Sequence, residues 1–161
     1  MSFQSSFKYN KSFRITPTIL TTAYSANRLL CDPFIIPAIT MPPNMSAVLR
    51  NLTVIDFEKH EPTLDFVFFN EDVSITNGPN QVLNASADDI RNHLTSIERV
   101  LASDYIGDAF GATGSVASVH PINTAVLSNL QGIVKCAVIT RKAFTATAAD
   151  DITFVFDFVI E

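Results

Sequence analysis

Tryptophan is absent from the 161 residues, and charge is scarce: Asp, Glu, Lys and Arg together make up 17% of the chain, whereas 47% is hydrophobic. An ordinary soluble domain carries about 25% charged residues. So low a share implies that sheet faces are covered internally or that part of the outside is given to other subunits. Without Trp, the strongest side chain for stacking bases or sugars is missing. The 11 basic residues are scattered among 16 acidic ones, for a net charge of −5, apart from a small group at Lys8, Lys11 and Arg14. There is no basic stripe to displace counterions from phosphate, which argues against direct nucleic-acid binding.

Long apolar runs are also missing. No stretch approaches the ~20 residues needed to span a bilayer as a helix, and the opening decapeptide has neither the apolar core nor the cleavage site of a signal peptide. Two cysteines, Cys31 and Cys136, are too few for a disulfide framework and read as buried, reduced thiols. No internal repeat or low-complexity segment is found.

What is present is alternation. In the last eleven residues Ile152, Phe154, Phe156, Phe158 and Ile160 share one face, while Asp151, Thr153, Val155, Asp157 and Val159 share the other. Similar strand patterns fall at 13–20, 27–39, 46–57, 64–69, 95–102, 116–121, 123–130, 133–142 and 151–160. Pro17 demotes the first to an edge or bulge, and Pro33 and Pro37 break the second. Asn77-Gly-Pro-Asn80 is a turn signal. After it, Ser86 with Asp88 and Asp89 is a helix start, so one short α-helix is expected near residues 86–95. Many short strands with regular turns and one helix describe an all-β sandwich, jelly-roll-like in its leading version. We expect two parts, an N-terminal arm over 1–12 and a single sandwich domain over 13–161. In the arm, Phe3, Phe7 and Tyr9, with Phe13 just beyond it, are candidate anchors on a neighbouring subunit.

No constellation of catalytic chemistry stands out, and we expect no enzyme. His60, His93 and His120 lack metal-ligand spacing and read as solvated loop residues. There is no Gly-x-Ser-x-Gly elbow. The glycines of the 107–114 segment resemble a phosphate loop but lack the Lys-Ser/Thr that such loops need. Asp56, Glu58, Glu61, Asp65, Glu71 and Asp72 flank one hairpin as a solvated acidic rim, with Ca²⁺ binding as the alternative. No metal and no cofactor are assigned.

Several phrases of the sequence resemble a family of small virion structural proteins of tailed bacteriophages. They are Thr21-Thr-Ala-Tyr-Ser-Ala26, Ser46-Ala-Val-Leu-Arg-Asn-Leu-Thr-Val-Ile-Asp56, Leu64-Asp-Phe-Val-Phe-Phe-Asn70, Ala87-Asp-Asp-Ile90, Ser103-Asp-Tyr105, Ala137-Val-Ile-Thr-Arg141 and Asp150-Asp-Ile-Thr-Phe154. The resemblance implies a capsid decoration or auxiliary protein that binds and stabilises the head shell as a homo-oligomer. Its partners would be other copies of itself and the major capsid protein or other virion proteins, without nucleic acid or membrane, and its location the virion, assembled in the host cytoplasm. No active-site residues come with it. The alternative expectation is a glycan- or receptor-binding module on the virion, with Tyr105 and Phe110 as the loop platform.

Overall fold

The computed structural model describes residues 9–36, 47–107, 114–121, 125–126 and 133–160. The strands are β1 (Tyr9–Ile15), β2 (Arg28–Leu29), β3 (Phe34–Ile35), β4 (Ala47–Asp56), β5 (Leu64–Phe69), β6 (Leu94–Val100), β7 (Tyr105–Gly107), β8 (Ser115–Val119), β9 (Ala125–Val126), β10 (Lys135–Thr140) and β11 (Ile152–Ile160), with helix α1 (Ala87–His93) before β6. They form two antiparallel sheets packed as a sandwich. The first has the order β1-β11-β4-β8-β7, with β9 also on β4; the second has the order β2-β10-β5-β6, with β3 also on β10.

Two pairs of short strands are each one interrupted strand. β2 and β3 lie in succession along β10, separated where Pro33 supplies no N–H to the ladder. β8 and β9 lie in succession along β4. Counted this way, and setting the short β7 aside, eight strands run in the orders 1-8-3-6 and 2-7-4-5. Every link between them except the fourth to the fifth crosses from one sheet to the other, which is the double Greek key of a jelly roll.

The alternation of the final strand sets the core. Ile152, Phe154, Phe156, Phe158 and Ile160 are all buried, and the two sheets meet through their rings. Phe66 of β5 stands edge-on to Phe154 and Phe156 at 5.0 and 5.9 Å between centroids, and Phe68 meets Phe156 in the same way at 6.1 Å. These are the offset geometries that ring quadrupoles favour.

The second sheet is covered on its other face too. Val67, Phe69, Leu29, Ala137 and Ile139 form a separate buried cluster with Val73, packed on by Ile75, Leu83, Ala85 and Leu94. The long connection from β5 to β6 therefore folds back over the sheet, and this double cover explains why β5 is an unbroken apolar run with every residue buried. Within that connection Ser86 caps α1, its Oγ accepting from the Asp89 N–H at 3.0 Å, with Asp88 and Asp89 in the first turn. The helix gives way directly to β6 at Leu94.

β1 begins at Tyr9 and pairs residue by residue with β11, Tyr9 against Ile160 through Ile15 against Phe154. Residues 9–12, expected in the arm, are thus part of the sheet, while residues 1–8 lie outside the described residues.

Candidate functional site

The sandwich end where β4 passes into β5 and β10 into β11 carries three polar anchors. β4 closes on Asp56, which is buried and accepts from the Glu58 N–H (3.1 Å) and the Glu61 N–H (2.5 Å). These two bonds hold a turn in which Lys59 and Glu61 adopt positive φ. β11 opens on Asp151, whose Oδ2 accepts from the Thr147 and Ala148 N–H groups at 2.7 Å each and lies 3.1 Å from His60 Nε2. Burial pushes the Asp151 carboxyl up, but the Ala148 N–H, His60 and the Thr147 N–H outweigh it and hold the pKa below its ordinary value. The His60 ring also packs on Phe144, and Phe144 stacks on Tyr24 at 5.1 Å and 7°. Tyr24 in turn donates its hydroxyl to the Leu30 carbonyl at 2.6 Å.

The third anchor is Asp65, on the covered face of β5 with its side chain 2% exposed. An isolated carboxylate there would be costly, and two arginines answer it. Arg99, opposite it on β6, donates from Nε to Oδ1 at 2.6 Å and from Nη2 to Oδ2 at 2.9 Å. Arg141, just past β10, donates from Nε to Oδ2 at 2.6 Å. Burial raises the Asp65 pKa and these bonds more than reverse it, so its carboxyl titrates below the ordinary 3.8.

A folded-state pKa below the unfolded one means that the charge stabilises the fold above the ordinary carboxylate range and stops doing so as pH falls through the folded value. Asp151 acts with the same sign. The denaturant midpoint should therefore hold level at neutral pH and decline below about pH 4. For Asp65→Asn it should start lower and decline less steeply. Superimposable profiles of the two proteins would exclude this coupling.

The residues singled out by sequence are placed as follows. Phe3, Phe7 and Phe110 lie outside the described residues. Tyr9 and Phe13 sit on the inner side of β1, half-buried against the core, with Phe13 stacked on Phe156 at 6.2 Å. Tyr105 is 9% exposed and donates its hydroxyl to the Pro62 carbonyl at 2.9 Å, so its ring belongs to the core at the start of β7 and offers no platform to a ligand. The acidic rim is dispersed. Asp56 caps its turn, Asp65 binds two arginines, Glu71 pairs with His93 at 2.9 Å and Asp72 with Lys135 at 2.8 Å. Among the described residues no three His, Cys, Asp or Glu side chains converge as metal ligands would. Cys31 and Cys136 are buried free thiols. Burial pushes Cys31 up to about 12 and Cys136 well above its ordinary value, so neither forms a thiolate near neutral pH.

The second feature of functional interest, the outer face of the first sheet, does not stand out as a surface in the sequence. Register places Ile106, Val116 and Ile55 side by side from β7 through β8 to β4, and Thr153 of β11 follows. Ile106, on β7 at the edge of the sheet among the described residues, is 72% exposed. The next row, Arg14-Val155-Thr53-Ser118, is mixed. Beyond it a hydrogen-bonded chain crosses the sheet: Ser12 Oγ donates to Asp157 at 2.5 Å, Asn51 Nδ2 to Asp157 at 3.2 Å, and Ser118 Oγ to Asn51 at 2.8 Å. A register shift between Asp157 and Phe158 leaves Arg50 without a partner across the β4–β11 ladder. Arg50 lines a shallow depression of about 390 Å³ with Asn10, Ser12 and Asp157. At the β11 end of the apolar row Thr153 is buried, its Oγ1 2.6 Å from Thr16 Oγ1, and the row becomes exposed only toward Ile106. The available signal in the sequence is Val155 and Val159 on the polar side of the last strand.

Fold and surface together define a jelly-roll sandwich with one outer face internally covered and, among the described residues, the other exposed toward its β7 edge. No protein-family model matches the sequence, and no curated protein matches it. Among solved structures the chain is similar to a chain of the native virion of Kashmir bee virus at neutral pH, with 9% identity, 96% of this chain and 72% of that chain covered, and a TM-score of 0.31.

Proposed function

We propose that this chain is a structural component of a virus particle that works by burying its surface against other subunits, as a capsid decoration or auxiliary protein of a tailed bacteriophage. The observation that carries the reading is the asymmetry of the sandwich. The long β5–β6 connection covers the second sheet, whereas among the described residues the first sheet leaves the apolar Ile106 exposed and its edge strands β1 and β7 each paired on one side only. Jelly rolls also serve lectins and cupins, so the fold alone does not decide function. The low charge and the resemblance to phage virion proteins favour assembly. With Tyr105 in the core, the described residues offer little to the glycan-binding alternative.

Specific interfaces bury about 800 Å² per partner, roughly the area of one sandwich face. Weak contacts repeated around a shell hold strongly through avidity. In this reading Phe3 and Phe7 of the N-terminal segment add anchors on a neighbour, and partners are other copies of the chain and the major shell protein.

Cryo-electron microscopy of particles made with and without the gene tests this. The expected result is density of sandwich size at symmetry-related positions, its Ile106 row facing a neighbour, that vanishes on deletion. Identical particles from both preparations would refute the proposal.

A further inference from the structure

The loop end of the sandwich holds a hollow of about 460 Å³ lined by Thr63, Arg99, Leu101, Ser103, Arg141 and Lys142. The chain has 11 basic residues against 16 acidic ones, so three cations around one hollow concentrate the scarcer sign. Asp65 supplies one negative charge from beneath, which leaves the hollow positive. Asp104, close by in sequence, is engaged by the Leu101 N–H at 2.7 Å.

The positive groups are also held in place. A guanidinium has five N–H donors in a rigid fork. Arg99 directs two of them to Asp65, and Arg141 directs one to Asp65 and one to Asn27 Oδ1 at 3.2 Å. Each fork is thus oriented from behind while its other donors face outward, with side-chain exposures of 54% and 32%. Ordering that a free arginine would undergo on binding has already occurred in folding. Beside the forks Leu101 is 45% exposed, an apolar contact next to a charged one, the combination found at interface anchors.

We propose that this hollow binds a carboxylate side chain, flanked by an apolar residue, on a neighbouring protein chain. Arginine forks match a carboxylate in two parallel hydrogen bonds. A polyanion is disfavoured because a net charge of −5 repels a run of phosphates, whereas a single carboxylate experiences mainly the local excess. The inference stands apart from the virion reading: a chain absent from particles could bind such a group, and a chain on particles could fail to.

The test is an NMR titration of the isotope-labelled full chain with an acetylated, amidated peptide carrying one glutamate between two leucines. The amides of residues 99–103 and the Nε–H signals of Arg99 and Arg141 should shift. Replacing the glutamate with glutamine should weaken binding by about ten-fold, the order expected for charge-assisted hydrogen bonds. Lys142→Gln, an exposed change that leaves the Asp65 pair intact, should weaken it by about three-fold, as for an exposed ion pair. Added salt should weaken it further. Equal binding of the glutamine peptide, no shift at roughly 5 mM peptide, shifts confined to another surface, or tighter binding of inorganic phosphate or an oligonucleotide at the hollow would each overturn the proposal.

Discussion

Phe156→Ala should destabilise the fold by about 3 to 5 kcal/mol, the range for removing a buried aromatic ring. Phe156 is fully buried at the middle of the strand that organises the core, opposite Phe13 on one side and Leu52 on the other. Six rings surround it: Phe13, Phe34, Phe66, Phe68, Phe154 and Phe158, with centroids 5.9 to 6.3 Å away. Because these belong to β1, β3, β5 and β11, the cavity would open where both sheets meet, and no single neighbour could collapse to fill it. A domain of ordinary stability has about 5 to 15 kcal/mol in total, so the change removes a large share of what holds the chain folded. Urea denaturation measures it. As a control, Val82→Ala at a 51% exposed position should stay within about 0.5 kcal/mol. A loss below about 1 kcal/mol for Phe156→Ala would mean that the rings do not pack as described.

The central place of Phe156 is legible almost entirely in the sequence, because a period of two in the last strand puts its phenylalanines on one face. β4 is legible for the same reason, β5 as a short, nearly continuous apolar run, and α1 through its Ser86 cap. What the sequence hides are the pairings between distant segments. Asp65 reads as one more member of an acidic rim; only the placement of β6 and β10 on either side of β5 brings in Arg99 and Arg141, 34 and 76 residues away. A carboxylate inside the run Leu64-Asp-Phe-Val-Phe-Phe69 is the available clue, since a charge on a buried strand requires a counter-charge. Tyr105 reads as a loop residue because glycines follow it, while its hydrogen-bond partner Pro62 lies 43 residues back. Composition hides the strand character of residues 9–12 for a physical reason as well. An edge strand turns one face to water, so Asn10, Ser12 and Arg14 alternating with Tyr9, Lys11, Phe13 and Ile15 look like a polar tail punctuated by aromatics.

The pairing of β1 with β11 yields the second large effect. Removing residues 1–8 should leave the melting temperature nearly unchanged, because the β1 ladder from Tyr9 to Ile15 stays whole. Removing residues 1–15 takes away the whole of β1. The half-buried side chains of Tyr9, Phe13 and Ile15 are together worth about 2 to 4 kcal/mol, taking half the value of full burial for each. The larger consequence is exposure. β11 would become a nine-residue edge with Phe156 and Phe158 at its margin, and a long, flat, apolar edge is a template for pairing with another chain. Size-exclusion chromatography should therefore show the 1–15 deletion as aggregates or strand-paired oligomers, and the 1–8 deletion with the elution profile of a folded domain. Removing residues 1–12 should fall between them, since it strips Tyr9 to Ser12 from the ladder and leaves Phe13 to Ile15. The series separates two roles that the sequence alone runs together: if the 1–8 deletion folds normally yet no longer loads onto particles, Phe3 and Phe7 serve the neighbour and Phe13 the core. If the 1–15 deletion is as stable and as well behaved as the full chain, β1 is not a strand of this sheet and the eight-strand order loses its first member.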